Sequence, residues 1–320
     1  MRAIKVSRTG GPDVLESVDV PEPEIGPSDL LVRSEAMGIN YIDTYFRSGQ
    51  YPRPLPYIAG EEGSGVVEVV GSEVTDFTPG DRVAWPFAPG SYAEKVSVPA
   101  AVAMAVPDSM RASVAASVLL QGMTAHFLAH TTYPIRSGDT VLVHAGAGGV
   151  GLMLTQMATR LGARVITTVS SAEKEKLSRE AGAFEVVRYE DFSTRVRELT
   201  DGEGVAAVYD GVGAATFDQS LASVRIRGTL ALFGAASGPV PPFDPQRLNP
   251  AGSVMLTRPT LAHFIRDRDE FEWRAGDVLS AVADGTLTVR IGGEYPLERA
   301  ADAHRDLEGR VTAGSIVLVP

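Results

Sequence analysis

The chain has 320 residues, with 44% hydrophobic and 22% charged positions and a formal net charge of −11. This composition is typical of folded proteins and excludes disorder over most of the chain, and the length favours two domains. The lack of cysteine excludes disulfides, thiol nucleophiles, iron–sulfur clusters and cysteine-ligated zinc. The negative charge argues against nucleic acid and anionic membranes as partners, and the sequence shows neither a signal peptide nor an apolar run of membrane-spanning length. We therefore expect a soluble cytoplasmic protein.

Short strands separated by proline and glycine dominate the first 120 residues. Segments rich in β-branched residues predict strands at 3–6, 14–18, 30–37, 65–70 and 92–98. Turn sequences such as Pro79-Gly80-Asp81 separate them, and many short strands with this spacing favour a barrel or a sandwich. Residues 111–120 are small and apolar without a helix breaker, which predicts a helix there.

Strands and helices alternate after residue 139. The pattern predicts strands at 140–144, 164–169, 185–188, 206–209 and 229–233, and helices at 150–161, 172–180, 194–199 and 217–224. Such alternation is typical of a parallel sheet that helices cover on both faces.

The remaining residues mix a loop with further helices and strands. We predict a long loop over 234–252, a strand at 254–256, a largely helical segment over 261–284 interrupted near Gly276, a helix at 300–307 and a strand at 315–319. The final strand has no partner in the α/β part of the chain, so we expect it to return to the first domain.

A glycine-rich segment is the strongest motif. Residues 146–151 read GAGGVG and match G-x-G-x-x-G between a predicted strand and a predicted helix. Gly146 permits a tight turn, Gly148 lets the backbone approach a pyrophosphate, and Gly151 lets the helix pack closely on the strand. The helix start also offers unpaired N–H groups and a partial positive charge to phosphates. A glycine-rich turn without a ligand is the alternative, and the order of strand, turn, helix and strand disfavours it.

The segment after the next strand indicates which dinucleotide binds. In NAD-binding folds an acidic residue there binds the ribose 2′-hydroxyl, but residues 167–171 read TTVSS. Ser170, Ser171 and Lys174 offer donors to a 2′-phosphate instead, which favours NADPH. The alternative is a solvated helix start with a capping serine and a surface lysine. Lys176 points about 200° away around the helix and is left outside the site.

Eight segments together resemble the medium-chain dehydrogenase/reductases, and within them the zinc-independent NADPH:quinone oxidoreductases related to zeta-crystallin. The likeness extends over nearly the whole chain. It rests on residues 10–15 (GGPDVL), 38–45 (GINYIDTY), 47–49 (RSG), 80–83 (GDRV), 121–125 (QGMTA), 146–151 (GAGGVG), 209–213 (YDGVG) and 257–259 (TRP).

The resemblance implies an α/β protein in which a Rossmann nucleotide-binding domain is inserted in a GroES-like β-barrel domain. The expected boundaries are 1–124 for the GroES-like catalytic domain, with 262–320 returning to it, and 125–261 for the NADPH-binding domain. The resemblance also implies a homodimer, with strands near 254–256 pairing across a two-fold axis.

One departure from the superfamily bears on the chemistry. Its zinc alcohol dehydrogenases carry a Gly-His-Glu segment and cysteine ligands, whereas this chain has Glu61 at the place of the histidine and no cysteine. We therefore expect no metal. Alcohol oxidation needs a Lewis acid or a base for the hydroxyl proton. A quinone or an enone is already electrophilic and needs no such help.

By resemblance, the candidate active-site residues are Asn40, Tyr45 and Tyr51 near the nicotinamide, and Gln121 and Thr124 at the domain junction. The two amides can hydrogen-bond a carboxamide or a substrate carbonyl. The tyrosines offer aromatic faces for a flat ring, and loop packing is their alternative role.

On the cofactor side, the resemblance adds residues beyond the glycine segment and the 2′-phosphate donors. Tyr189 resembles a family residue at the adenosine phosphate. Three further residues lie at the carboxyl edge of the predicted sheet, namely Phe233, Gly234 and Ser237. Arg310 resembles an arginine late in the chain that reaches the cofactor. A surface role explains Arg310 equally well. The full expected set is Gly146, Gly148, Gly149, Val150, Gly151, Ser170, Ser171, Lys174, Tyr189, Phe233, Gly234, Ser237 and Arg310.

The five histidines give no catalytic pattern. His126 and His130 have metal-ligand spacing on a helix but no visible third ligand, so ordinary helix packing is the better interpretation. His144 is expected at a strand end, and neither His263 nor His304 has suggestive neighbours in the sequence.

The sequence as a whole predicts NADPH-dependent hydride transfer to a quinone, with solvent ranked above Tyr45 as the source of the proton. The nearest alternative is an NADPH-dependent reductase of α,β-unsaturated carbonyls, which shares the fold, the cofactor and the hydride step. A non-catalytic NADPH-binding protein with a structural or RNA-binding role is a third possibility, and the net charge argues against RNA as a partner.

Overall fold

The computed structural model describes all residues from 1 to 320 and divides the chain into two compact units. The first unit contains Met1–Gln121 and Asp267–Pro320, and the second contains Gly122–Arg266. None of the helices combines the length and the hydropathy that a bilayer crossing requires.

Strands are numbered β1 to β16 in chain order. They are Arg2–Val6, Leu15–Asp19, Asp29–Ile39, Tyr57–Ile58, Glu62–Val70, Arg82–Trp85, Lys95–Pro99, Met104–Ala105, Thr140–Val143, Arg164–Thr168, Glu185–Val187, Val205–Asp210, Val224–Leu232, Met255–Thr257, Ile291–Pro296 and Ser315–Val319.

The α-helices are numbered α1 to α9. They are Tyr41–Ser48, Ala112–Ala115, Leu119–Phe127, Gly149–Arg160, Ala172–Glu180, Phe192–Leu199, Phe217–Ser223, Arg268–Ala283 and Ala300–Glu308. A π-helical turn at Leu128–Thr132 follows α3, and short 3₁₀ turns lie at Pro12–Val14, Ala100–Val102, Pro245–Leu248, Leu261–His263 and Leu297–Arg299.

The first unit is built from antiparallel strands, as its short β-branched segments predict. One sheet has the order β2-β1-β4, and a seven-stranded sheet has the order β15-β16-β3-β5-β6-β8, with β7 also paired to β3. Along β3, Leu30, Val32, Ser34 and Ala36 alternate as buried residues, which is the period of a strand with one face in the core. The last strand, β16, runs antiparallel to β3 with Val317 opposite Gly38, so the two ends of the chain share one sheet.

The second unit contains the parallel sheet that the alternating pattern predicts. Its order is β11-β10-β9-β12-β13-β14, and all of the pairs are parallel. β9, β10 and β12 lie at the centre, and their apolar side chains are almost fully buried, as expected of strands covered on both faces. This order places the carboxyl ends of β9, β10 and β12 next to one another.

Several predicted elements are wrong in detail, among them the strand predicted at 229–233, which begins at Val224. The helix predicted over 111–120 is split between α2 and α3, because the hydroxyl of Ser117 donates to the carbonyl of Ser113 at 2.8 Å and competes with the helical pattern. The strand predicted over 92–98 begins only at Lys95. Helix α8 runs without interruption through Gly276, and the break falls before Arg268, because the carboxylate of Asp267 caps the helix by accepting from the N–H of Glu270.

Candidate active site

The glycine segment connects β9 to the amino end of α4 in a tight turn. A Cβ atom on Gly146 would lie 2.5 Å from the Cβ of Thr167, and one on Gly151 would lie 2.2 Å from the carbonyl oxygen of Ala145. Gly148 is different, because a Cβ there would approach only the Ala145 carbonyl, at 3.3 Å. The turn therefore packs its first and last glycines against protein and leaves the backbone around Gly148 open to a ligand.

Helix α4 presents its first-turn amides beside this opening. Gly148 is the N-cap, and its carbonyl accepts the first helical bond, from Leu152, at 2.9 Å. The N–H groups of Gly149, Val150 and Gly151 precede that bond, so they have no carbonyl one turn back. A helix start with free N–H groups of this kind is suited to binding an anion such as a dinucleotide pyrophosphate.

Helix α5 begins beside the end of β10, where the sequence predicts the 2′-phosphate donors. Ser171 caps the helix, because its hydroxyl oxygen accepts from the N–H of Lys174 at 3.2 Å. Its hydroxyl proton is still available to donate, and Ser170 lies exposed just before it. The capping alternative and the phosphate role are therefore compatible for Ser171.

Arg188 adds a basic group that sequence reasoning missed. It follows β11, and its guanidinium donates to the carbonyl of Ser171 at 2.7 Å and to the carboxylate of Glu175 at 2.9 Å. It therefore lies against the serine segment although 17 residues separate it from Ser171. Arginine is common in this chain, so the sequence offers no sign that would distinguish Arg188 from the others.

Tyr189 and His144 support the start of the glycine turn. The N–H of Ala145 donates to the hydroxyl of Tyr189 at 3.2 Å and to that of Thr168 at 3.3 Å. The buried ring of His144 joins Thr168 and Ser220, with 2.8 Å at each nitrogen. Burial lowers the pKa of His144, although Asp210 opposes the shift, so the neutral ring bridges β9, β10 and α7.

Asp210, at the end of β12, organises the loop beside that ring. Its buried carboxylate accepts from the N–H groups of Val212 and Gly213 and from the hydroxyls of Thr216 and Ser220, at 2.7 to 3.0 Å. A buried carboxylate is stable only when its lone pairs are satisfied in this way.

Phe233, Gly234 and Ser237 follow the end of β13. The N–H of Phe233 donates to the Asp210 carbonyl at 2.9 Å, and the hydroxyl of Ser237 donates to the Val212 carbonyl at 2.8 Å. A Cβ atom on Gly234 would lie 2.4 Å from the carbonyl oxygen of Gly211. These residues therefore form one backbone-packed corner with the loop after β12.

In the first unit, four polar side chains form a continuous buried chain. The hydroxyl of Ser315 donates to Gln121 Oε1 at 2.8 Å, Gln121 Nε2 donates to Asn40 Oδ1 at 3.0 Å, and Asn40 Nδ2 donates to Glu62 Oε2 at 2.7 Å. The other oxygen of Glu62 accepts from the N–H of Leu120 at 2.8 Å. Burial raises the pKa of Glu62 to about 8, against the opposing effect of these donors.

Tyr45 of α1 and Tyr51, three residues beyond that helix, pack against each other near a largely buried ion pair. Their ring centroids are 5.2 Å apart in an edge-to-face arrangement. The Arg53 guanidinium lies 3.8 Å above the ring of Phe46 and pairs with the Glu61 carboxylate at 2.5 Å. Burial raises the pKa of Glu61, and Arg53 limits the shift.

The two remaining predicted residues lie elsewhere. Thr124 is buried on α3 in the second unit, three residues beyond Gln121, which is the last residue of the first unit's opening segment. Arg310 is exposed in the turn after α9, with a left-handed backbone at φ 55°.

His304 has no suggestive neighbours in the sequence, but the structure places it in a buried polar cluster. Its ring is fully buried, with Nε2 3.2 Å from the Tyr92 hydroxyl and Nδ1 3.1 Å from Arg47 Nη1. The Tyr92 hydroxyl in turn donates to Asp43, whose carboxylate also accepts from the N–H of Asn40. Arg47 and His304 are 257 residues apart, so only folding reveals this cluster.

Comparison with known proteins decides the family. Residues 26–108 match the alcohol dehydrogenase GroES-like domain, and residues 149–280 match the family described as zinc-binding dehydrogenase. A quinone oxidoreductase of Pseudomonas aeruginosa is 44% identical over 323 residues, covering 100% of this chain and 99% of that protein. The chain belongs to the quinone oxidoreductase family. The resemblance seen in its motifs and the expected pairing of a GroES-like with a Rossmann domain are thereby confirmed.

Solved structures of the quinone oxidoreductase family superpose over the full chain. A mycobacterial protein complexed with NADPH superposes with a TM-score of 0.98 and is 59% identical. The Escherichia coli quinone oxidoreductase complexed with NADPH superposes with a TM-score of 0.98 and is 38% identical, and in both comparisons 100% of each chain is covered. A 2-haloacrylate reductase of a Burkholderia species is 40% identical, covering 99% of this chain and 98% of that protein.

One of the two matching family models is described as zinc-binding dehydrogenase, but this quinone oxidoreductase lacks side chains that could hold zinc. No three histidine, cysteine, aspartate or glutamate side chains are grouped so that they could hold a metal ion. Glu61 is already paired with Arg53, and the rings of His126 and His130 lie against each other with centroids 4.3 Å apart. The residues present therefore do not form a zinc site.

Proposed function

We propose that the protein is a zinc-independent NADPH:quinone oxidoreductase. The observation that carries the proposal is the nucleotide site, in which a glycine turn opens onto the start of α4. Ser170 and Ser171 follow the end of β10 where an NAD-binding fold would carry an acid, and Lys174 lies in the first turn of α5. The full-length similarity to a mycobacterial structure with bound NADPH supports it.

In this proposal the second unit, Gly122–Arg266, holds the cofactor. The amides of Gly149, Val150 and Gly151 bind the pyrophosphate, because three N–H groups at a helix start match its charge. Lys174 and the serine hydroxyls bind the 2′-phosphate. The residues of this unit assigned to the remaining cofactor surface are Tyr189, Phe233, Gly234 and Ser237, whereas Arg310 lies in the first unit and rests on the resemblance alone.

The first unit supplies the substrate side. NADPH, when bound, supplies the hydride; the protein orients the partners and excludes water. Asn40 and Gln121 offer amide groups to a carbonyl, and Tyr45 and Tyr51 offer aromatic faces to a flat ring. A quinone accepts hydride without a Lewis acid, which agrees with the lack of a metal-ligand set, and solvent supplies the proton.

The proposal is tested by titrating the protein with NADPH and NADH side by side and then measuring turnover of ortho-quinones, para-quinones and enals. We expect NADPH to bind more tightly than NADH and NADPH oxidation to depend on a quinone. The proposal would be contradicted if the protein bound neither cofactor, or if none of the quinones in the panel supported NADPH oxidation.

A reductase of activated double bonds is the second candidate function. The similarity to a 2-haloacrylate reductase favours it, because that name describes reduction of a carbon–carbon double bond beside a carboxylate. The same panel separates the two candidates, with 2-chloroacrylate added to the enals. Enals or the haloacrylate turned over far better than any quinone would favour this second function.

We also propose a cytoplasmic homodimer that pairs through β14. This strand is the edge of the parallel sheet, and Met255 on it is 56% exposed while the nearby Ile226 is 75% exposed. An exposed strand edge with apolar neighbours is a surface that proteins usually cover. An acidic chain without cysteine suits the reducing cytoplasm.

Replacing Met255 with aspartate is expected to convert the dimer to a monomer. Two carboxylates would then face one another near the symmetry axis, in an apolar contact that cannot solvate them. Light scattering coupled to size-exclusion chromatography measures the result. Val311→Asp is the control, because Val311 is 72% exposed in the first unit and is not part of β14. A wild-type monomer, or a dimer that survives M255D, would contradict the pairing.

A further inference from the structure

The chain of hydrogen bonds from Ser315 to Glu62 has a direction. In its ionised form the Glu62 carboxylate can only accept, so this end requires Asn40 to present its Nδ2 group there. Asn40 Oδ1 must then accept from Gln121, and Gln121 Oε1 must accept from Ser315. Every donor in the chain points toward Glu62.

Glu62 is held too firmly to turn away from Asn40. Its side chain is fully buried on β5, and the backbone N–H groups of Leu119 and Leu120 fix one of its oxygens. Gly38 of β3 makes room for the other, because a Cβ atom there would lie 2.6 Å from Glu62 Oε2. The carboxylate therefore occupies a cradle that the backbone of three elements shapes.

The direction of the chain decides what Asn40 offers to a ligand. Its carbonyl oxygen accepts from Gln121, and one Nδ2 hydrogen goes to Glu62, which leaves the second Nδ2 hydrogen as the free polar group. An N–H donor is the group that a carbonyl oxygen needs when it gains negative charge on hydride addition. With the amide turned over, an oxygen would face that carbonyl instead.

We propose that Glu62 is a positioning residue that, through this chain, holds the Asn40 amide with its N–H toward the substrate carbonyl. Gln121 and Ser315 complete the support from the other side. The inference rests on the proposed function, because it requires a carbonyl substrate beside Asn40, and it assigns to Glu62 a role that touches neither substrate nor cofactor.

Glu62→Gln is the decisive variant. The side-chain oxygen of the introduced glutamine would accept from the backbone N–H groups, so its amide would donate toward Asn40 and turn Asn40 and Gln121 over. Ser315 can then accept from Gln121 instead of donating to it, so the four side chains stay connected by hydrogen bonds. We expect kcat with a quinone to fall about tenfold while the NADPH dissociation constant and the melting temperature stay close to the wild-type values.

The pH profile separates orientation from simple structural support. Asp43 of α1 is the titratable group whose charge raises the pKa of Glu62, while Glu62 in turn raises the pKa of the Tyr92 hydroxyl. From α3, Glu62 meets backbone N–H groups. Burial raises the pKa of Glu62 to about 8, so ionisation, and with it the productive orientation of Asn40, increases as pH rises through this value. We expect wild-type kcat to rise over that range and the E62Q profile to lack the rise.

Two further variants keep the test informative if E62Q unfolds. Ser315→Ala removes only the distant end of the chain and is expected to lower kcat about threefold. Ser91→Ala is the matched control, because Ser91 is a fully buried serine with two hydrogen bonds, to Trp85 and Ala88. It does not belong to the series of hydrogen bonds from Ser315 to Glu62. Equal effects of S315A and S91A on kcat would overturn the proposal.

A spectroscopic measurement separates this inference from the proposed function. The side-chain amide signal of Asn40, assigned by its loss in Asn40→Asp, is expected to shift in E62Q and to remain in place in S91A. An unchanged Asn40 signal in E62Q would overturn the inference, whether or not the protein reduces quinones. A shifted signal without quinone turnover by the wild-type protein would instead contradict the proposed function.

Discussion

Lys174→Ala is expected to weaken NADPH binding roughly ten- to a hundredfold and to leave NADH binding almost unchanged. A hydrogen bond to a charged group contributes about 1.5–3 kcal/mol, and each 1.4 kcal/mol corresponds to about a tenfold change in affinity. The 2′-phosphate is the only difference between the two cofactors, so the loss must appear in one and not in the other. Titration of both cofactors by calorimetry measures it.

Lys176→Ala is the control for this prediction. Both lysines lie on α5, but Lys176 is largely exposed and lies 3.9 Å from Glu180, on another face of the helix. Its removal changes the net charge by the same amount, so any general electrostatic effect on an anionic cofactor appears equally in both variants. Equal weakening of NADPH by K174A and K176A, or equal loss of NADPH and NADH in K174A, would contradict the assignment.

The nucleotide site is the part of this protein that sequence alone predicts best, because its determinants are local. Helix α5 has the predicted bounds, since Ser171 caps its start and a glycine with a left-handed backbone follows its end at Gly182. The glycine turn likewise follows from a motif of six residues, although Gly146 also packs against Thr167 of β10. Backbone geometry of this kind is set by neighbours along the chain.

The polar clusters of the first unit could not be predicted in the same way. Asn40 and Gln121 were identified by resemblance, but their connection to Glu62 and Ser315 joins residues 22, 81 and 194 positions apart. Arg188 and Asp210 were missed for a related reason, since their roles depend on which strand ends lie side by side. Residue type indicates that a group can donate or accept, and only the sheet order determines its partner.

The incorrect helix interruption at Gly276 illustrates the opposite error. A glycine within a helix costs about 1 kcal/mol relative to alanine, which the packing of α8 can offset. Phe271, Ala275 and Val278 on this helix are buried, and burial of such side chains contributes more than the glycine costs. The capping carboxylate of Asp267 therefore determines where the helix begins, and the glycine does not end it.

Acid is expected to destabilise the first unit through His304. Burial, together with the charge of Arg47, lowers the pKa of His304 to about 3, whereas the unfolded side chain titrates near 6.5. Between these values the unfolded state binds a proton that the folded state excludes, so stability falls as pH decreases. The slope is about 1.4 kcal/mol per pH unit, or roughly 3 kcal/mol between pH 6.5 and pH 4.

His304→Gln isolates this contribution, because glutamine can hydrogen-bond Tyr92 and Arg47 without titrating. We expect the wild-type protein to lose about 3 kcal/mol relative to H304Q between pH 7 and pH 4, measured by urea unfolding. Both tryptophans, Trp85 and Trp273, lie in the first unit with His304, so tryptophan fluorescence reports the relevant transition. A difference between wild type and H304Q that does not change with pH would contradict the assignment.

Asp43→Asn supplies a control of opposite sign within the same cluster. Burial, with the repulsion from Glu61, raises the pKa of Asp43 to about 7, so its folded form retains a proton that the unfolded chain releases above about pH 4. Its contribution to stability is therefore complete in acid and is lost as pH rises toward 7. Relative to D43N, the wild-type protein should gain stability on acidification, while relative to H304Q it loses stability. Both side chains contact the Tyr92 hydroxyl, so a general effect of acid on this cluster would change the stability difference from D43N and the stability difference from H304Q in the same direction. Titration of the individual groups changes the two stability differences in opposite directions.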